Sequence, residues 1–261
     1  MNTPKYKITI LGCGSSGGVP RIGNHWGACD PNEPRNRRLR CSILVQRDGT
    51  NMLVDTSPDM REQLLAANVS HLHGVIYTHS HADQANGIDD LRMVVMNMRK
   101  RVDVYADEIV FDELNTRFGY CFAQAEGSSY PAILNGHLIK TSAKIDGPGG
   151  VIEAVPFPVD HGGAHCVGYR IGNFAYCPDM ALLPETSFAA LAGVECWIVD
   201  ALRYTPHPTH AHLARTLELI ARVKPKLAVL TNMHVDLDYR TLLSELPEGV
   251  APAYDGMVLE F

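Results

Sequence analysis

The stretch Gly74-Val75-Ile76-Tyr77-Thr78-His79-Ser80-His81-Ala82-Asp83-Gln84 decides how this chain is read. Its first half is a short run of apolar and β-branched residues, the pattern of a buried strand. Its second half alternates two imidazoles and a carboxylate in a polar loop. That combination suits first-row divalent ions, which accept nitrogen and oxygen donors together. A plain surface loop would carry the same six residues, so the neighbouring strand ends carry weight. Asp160 and His161 follow a predicted strand over 151–158, Asp179 follows Phe174–Cys177, and His234 follows Leu227–Thr231. Polar residues beyond the ends of several strands are where α/β proteins build sites. Together these residues supply two shells of ligands.

Outward from that stretch, strands are predicted over 7–11, 42–46, 52–55, 74–78, 102–106, 166–171, 196–200 and 257–261. Helices are predicted over 58–68, with Ser57 as N-cap and Pro58 at the first position, and over 107–118, 213–223 and 239–246. Strands interleaved with helices in both halves give a layered α/β protein. Gly147-Pro148-Gly149-Gly150 is the strongest internal punctuation. Neither half alone collects the polar residues, so residues 1–261 are read as one domain with the site between its halves.

The 261 residues are 46% hydrophobic, enough for a substantial core without staples. Lys and Arg total 23 against 29 Asp and Glu, a net charge of -6 that argues against a nucleic-acid or anionic-membrane surface. No apolar run reaches the roughly 18 residues of a membrane span. Met1 to Ile10 carries Lys5 and Lys7 without an apolar leader, so a secretory signal is not expected. Seven widely spaced cysteines fit a reduced, cytoplasmic protein.

The set His79, His81, Asp83, His161, Asp179 and His234 resembles the metallo-β-lactamase superfamily, whose motif is HxHxDH followed by a distant His, Asp and His. That resemblance implies an αββα sandwich with a dinuclear metal site. Within the superfamily, the chain looks like the phosphoribosyl cyclic phosphodiesterases of phosphonate breakdown. The matching segments are Gly12-Cys13-Gly14-Ser15-Ser16-Gly17-Gly18-Val19-Pro20, Asp55-Thr56-Ser57-Pro58-Asp59, Gly87-Ile88-Asp89-Asp90-Leu91-Arg92 and Tyr254-Asp255-Gly256-Met257. The pyrroloquinoline quinone synthesis protein and the tRNA 3′-processing endonuclease are more distant relatives.

By that resemblance His79, His81 and His161 hold one metal, Asp83 and His234 hold another, and Asp179 bridges them. The cofactors implied are two divalent ions, zinc or manganese. A shared water would become hydroxide near neutral pH and attack phosphorus in line, with Asp83 in the catalytic set. Gln84 stands where the motif has its last histidine, and a neutral amide is the poorer ligand, so the second metal is expected to be weak. Gln84 also suits a contact to a metal-bound water. Many relatives end the penultimate strand Thr-His, whereas this chain reads Thr231-Asn232-Met233-His234, which leaves Asn232 as a second candidate. The relatives' structural zinc cluster is reduced to His25, Cys29 and Cys41, either a different metal site or a loop anchored by Trp26 with buried thiols.

His210, just ahead of the helix over 213–223, is implied to act as general acid or phosphate ligand. Otherwise Thr209 caps the helix and the histidine is solvated. Arg37 and Arg38, in the run Arg35-Asn36-Arg37-Arg38-Leu39-Arg40, form a phosphate-recruiting rim or a solvated loop. The Gly12–Gly18 segment reads as a tight turn lining the metal cleft, since its GxGxxG spacing lacks the context of a nucleotide fold. Asp89 and Asp90 either orient a ligand histidine or cap a helix.

The leading expectation is a metal-dependent phosphodiesterase acting on a small cyclic or nucleotide-like phosphate ester. Another hydrolase on the same scaffold, acting on a thioester, a lactam or tRNA, is the second. A non-catalytic accessory protein of cofactor synthesis is the third. The expected partner is a small phosphate ester or nucleotide rather than a membrane or nucleic acid. A homodimer is left open.

Overall fold

A computed structural model describes residues 6–261. The chain begins with β1 (Lys7–Gly12), β2 (Ser42–Arg47) and β3 (Thr50–Val54), then α1 (Met60–Ala66) and β4 (Gly74–Ile76). Helices α2 (Ala82–Ala85) and α3 (Leu91–Met98) lead to β5 (Val102–Ala106), α4 (Glu108–Phe122), β6 (Leu134–Leu138) and β7 (Ala143–Ile145). A long hairpin of β8 (Ile152–His161) and β9 (Ala164–Ile171) is followed by β10 (Phe174–Cys177), α5 (Phe188–Leu191) and β11 (Cys196–Asp200). The chain ends with α6 (Leu213–Val223), β12 (Leu227–Thr231), α7 (Tyr239–Glu245), β13 (Val250–Pro252) and β14 (Val258–Glu260).

The strands form two mixed seven-stranded sheets, ordered β14-β1-β2-β3-β4-β5-β6 and β13-β12-β11-β10-β9-β8-β7. In the first, β3 to β6 run parallel, while β14 with β1 and β2 with β3 are antiparallel. In the second, β10 to β13 run parallel and β8, β9 and β10 are antiparallel. Parallel strands buried on both faces read as continuous apolar runs, and β4 and β11 are buried at every residue. This is the layered α/β class expected from the sequence.

The residues separate into two compact units, neither contiguous in sequence. The first comprises residues up to 9, 42–153 and 258–261; the second comprises 10–41 and 154–257. Among the described residues no helix is long and apolar enough to cross a membrane. The reading of the N-terminus as leaderless falls partly on residues 1–5, outside the described residues.

Several boundaries differ from expectation for local reasons. Helix α1 starts at Met60, because Ser57 Oγ accepts from the Asp59 N–H at 3.1 Å and donates to Gln63 Oε1 at 2.9 Å, so Asp59 takes the N-cap position. Helix α4 runs four residues past its expected end by kinking at Phe118 (φ -127, ψ 27). Strands β6, β7 and β13 went unpredicted: β6 exposes four of its five residues, and the other two have three residues each.

Candidate metal centre

In the first unit, β4 delivers Tyr77 and Thr78 into the interior and His79 directly after them. Asp55 organises this turn. Its carboxylate accepts from the Thr78 N–H and Oγ1, each at 2.8 Å. It is wholly buried, and burial pushes its carboxyl up to about 8 against the pull of the Thr78 hydrogen bonds. Since the Thr78 hydroxyl proton goes to Asp55, its oxygen is left to accept from His79 Nδ1 at 3.0 Å. His79 Nε2 then carries the lone pair, as a metal-ligating imidazole needs. It faces His81 Nδ1 at 3.1 Å. Asp83 lies in the first turn of α2 and is half-buried, and Gln84, next along, is fully buried.

In the second unit, β8 ends at His161, which is 2% exposed. His161 Nδ1 donates to the Thr209 carbonyl at 2.7 Å, which again leaves Nε2 as the donor to a cation. Gly162 makes this approach feasible: φ is +64°, and an added Cβ would lie 2.5 Å from Thr209 Cγ2. Asp179, two residues past β10, is 2% exposed. The ligand atoms of His161, Asp179 and His210 lie within 4.8 Å of one another. Two imidazoles and a carboxylate at that spacing fit a divalent first-row ion.

Behind His210 stands Asp200, the last residue of β11, which the sequence reading passed over as an ordinary strand end. Its Oδ2 accepts from His210 Nδ1 at 2.8 Å and from the Met180 N–H at 3.0 Å. Burial raises the Asp200 carboxyl, and the His210 hydrogen bond opposes the rise. Asp55 was noticed only as part of a motif. Both carboxylates were missed because a buried Asp at a strand end carries no local signature of its partner.

At the end of β12 the side chains of Asn232 and His234 take different partners within this unit. Asn232 is 1% exposed and takes φ +61°, and its amide donates to Asp179 Oδ1 at 3.3 Å and Asp200 Oδ1 at 3.2 Å. The backbone turns there, and Met233 docks on the glycine-rich segment through Met233 N–H to Cys13 O at 2.8 Å. His234 does not join the His161–Asp179–His210 group. Its Nδ1 pairs with Asp236 Oδ1 at 2.8 Å and its Nε2 meets the Arg21 guanidinium. Among the described residues His234, expected as a metal ligand, is in neither group of three or more side chains that could hold an ion.

Other candidates are also displaced. His25 is exposed on a turn. Cys29 packs with Val19, Val235 and Trp26, and burial raises its thiol pKa. Cys41 Sγ contacts the Gly14 carbonyl at 3.5 Å and Thr231 Oγ1 at 3.4 Å. The three are not brought together as a metal set. Arg38 is 1% exposed and donates to the carbonyls of His234 (3.3 Å) and Leu237 (2.7 Å), so it clamps a loop and does not face a ligand. Arg37 is exposed. Asp89 pairs with Arg92 at 2.5 Å, and the histidine-orienting role falls to Asp55 through Thr78. Asp90 takes the N-cap position of α3 without a side-chain hydrogen bond.

Comparison with known proteins agrees with this geometry. The profile of the beta-lactamase superfamily domain matches residues 50–233. A crystal structure of a diphosphatase from the PhnP family superposes with a TM-score of 0.89 at 35% identity, over 98% of this chain and 97% of that one. Zinc-bound PqqB from Methylobacterium extorquens superposes with a TM-score of 0.75 at 19% identity, over 97% and 99% of the two chains, which shows a shared fold. An octanoyltransferase of Porphyromonas gingivalis is 31% identical over 96% of this chain and 51% of its own length, so the chain spans about half of that relative. The chain belongs to the metallo-β-lactamase superfamily, on its PhnP-like branch.

Proposed function

We propose that the chain is a metal-dependent phosphodiesterase acting on a small cyclic or nucleotide-like phosphate ester. The observation that carries this reading is the His161–Asp179–His210 group with Asp200 behind it, in a PhnP-like member of a superfamily whose motif supplies His79, His81 and Asp83. Each unit carries residues that would serve as ligands to divalent ions: His79, His81 and Asp83 in the first, His161 and Asp179 in the second. Such ions supply Lewis acidity toward the phosphoryl oxygens.

The remaining steps belong to the chain's own residues. His79 and His161 present Nε2 because Thr78 and Thr209 occupy their Nδ1 atoms. His210, held through Nδ1 by Asp200, presents Nε2 to deliver a proton to the leaving oxygen or to bind phosphate. The amide nitrogen of Asn232 donates to Asp179 and Asp200, so it stabilises the carboxylates by hydrogen bonding without lending a strong donor to a cation. With Gln84 also a carboxamide, the second ion is the weaker one.

Metal analysis and turnover test this reading. We expect one tightly held equivalent, a second that titrates at higher metal concentration, and activity on bis(p-nitrophenyl) phosphate or ribose cyclic phosphates. A metal-loaded protein inert toward all of them sinks it. The octanoyltransferase relative favours a second reading, hydrolysis of an acyl thioester on the same centre. Turnover of an octanoyl thioester with none on phosphodiesters selects it. None of the seven cysteines forms a disulfide and all are buried, which supports placement in the cytoplasm.

A further inference from the structure

Ser80 stands between His79 and His81 and is half-buried, and the first unit holds the chain on both sides of it. Upstream, Asp55 and Thr78 fix His79. Downstream, the His81 carbonyl accepts the Gln84 and Ala85 N–H groups at 3.0 and 2.9 Å and so starts α2. Ser80 itself is held from a third direction, by α4. Its Oγ donates to Glu113 Oε2, and its carbonyl accepts from the Arg117 guanidinium. Glu113 and Arg117 are four residues apart and so lie on one face of the helix. With Ser80 and His81 they are among the residues lining a cavity of about 550 Å³. Helix α4 is a firm support: Asp107 caps it by accepting the Val110 N–H at 3.0 Å, and Val110, Leu114 and Cys121 are buried. The helix kinks at Phe118, whose ring lies 5.3 Å from the Arg117 guanidinium carbon.

Both contacts are charge-assisted, a hydroxyl on a carboxylate and a guanidinium on a carbonyl. Glu113 and Arg117 are exposed, and contacts at the surface contribute little to global stability. Their effect is local. His79 Nε2 lies 3.1 Å from His81 Nδ1, and the two rings cross at 76°. That spacing depends on the backbone of the single residue between them. One contact to the Ser80 side chain would leave its peptide free to rotate, and the second contact, to its carbonyl, removes that freedom. Holding ligands at a fixed separation before an ion arrives is what outer partners do for a metal site.

We propose that Glu113 and Arg117 are positioning residues for the metal centre, acting through Ser80 to hold the His79–His81 pair at ligating separation. This rests on the metal reading of the proposed function and not on the identity of the substrate. In this role neither α4 residue ligates the ion.

The test is the zinc affinity of the full chain, by competition with a chromogenic chelator. It compares wild type with Ser80→Ala, Glu113→Ala, their double variant, Arg117→Gln, Ser80→Thr and Asn115→Ala, an exposed control on the same helix. Urea unfolding of the metal-free full chain runs alongside. We expect affinity to fall about tenfold in Ser80→Ala, Glu113→Ala and Arg117→Gln. The double variant should be no weaker than the worse single one, because the two side chains form one contact. Ser80→Thr keeps the hydroxyl and should bind like wild type, as should Asn115→Ala, and urea midpoints should stay level. Zinc bound by wild type with unaltered affinity in Ser80→Ala, Glu113→Ala and Arg117→Gln overturns the proposal. A loss that follows the urea midpoints, or that adds in the double variant, does so too. Wild type that holds no zinc fails the metal reading itself and the proposal with it.

Discussion

His210 Nδ1 lies 2.8 Å from Asp200 Oδ2, and the carboxylate is entirely buried at the end of β11. One ring nitrogen is thereby committed to the protein, and the other is aimed where a substrate or ion can use it. Outer partners of this kind set ligand basicity and orientation as much as the ligands do.

Removing that carboxylate should act on function before fold. Asp200→Asn keeps the volume but removes the charge and turns one of the two acceptor oxygens into a donor. We expect metal affinity to fall about 10- to 100-fold, read by competitive titration with a chromogenic chelator. Asp200→Ala strands buried donors from Met180, Asn232 and His210, and should also cost about 3–5 kcal/mol in urea unfolding. Unchanged metal affinity in Asp200→Asn would falsify the orienting role.

Metal content separates Asn232 from His234. His161→Ala should lose the tightly held equivalent after dialysis, because a buried ligand with a fixed tautomer is gone. His234→Gln should retain it, since that ring is engaged by Asp236 and Arg21. Asn232→His should strengthen the second site by restoring an imidazole. Loss of metal in His234→Gln would return His234 to the ligand set.

Gly162 is a further point of control. A side chain there must adopt φ +64° and displace Thr209, whose carbonyl holds His161. Gly162→Ala should therefore cost about 1–3 kcal/mol in chemical denaturation. It should also weaken metal binding, whereas Gly163→Ala meets no atom within 4 Å and should show only the backbone penalty of its own φ of +95°.

Asp255 sets a pH dependence. It accepts from Cys13 N–H at 3.1 Å and Leu39 N–H at 2.7 Å, and burial pushes its carboxyl from 3.8 up to about 7. The folded state keeps a proton that the unfolded chain releases near pH 4. The stabilisation is therefore complete below about pH 4 and is lost as pH rises to about 7, by roughly 4 kcal/mol at most. Against Asp255→Asn, wild type should lose relative stability across that window in urea melts. A difference flat from pH 4.5 to 8 would remove Asp255 as its source.

Much of the fold is legible in the order of residues alone. Continuous apolar runs in β4, β10, β11 and β12 need no tertiary information to be read as buried strands. The spacing of His79, His81 and Asp83 after one of them raises the expectation of metal chemistry. Which of the later residues stand together follows from three-dimensional packing. Asn232 and His234 are two positions apart, and no propensity distinguishes them. A positive φ at Asn232 and the docking of Met233 on Cys13 send one side chain to the carboxylates and the other to Arg21. Arg38 reads as a surface cation until the fold buries its guanidinium among carbonyls. Asp55 and Asp200 acquire their roles from partners 23 and 10 residues away. Periodicity records which face of an element is buried; it carries no record of what is packed against it.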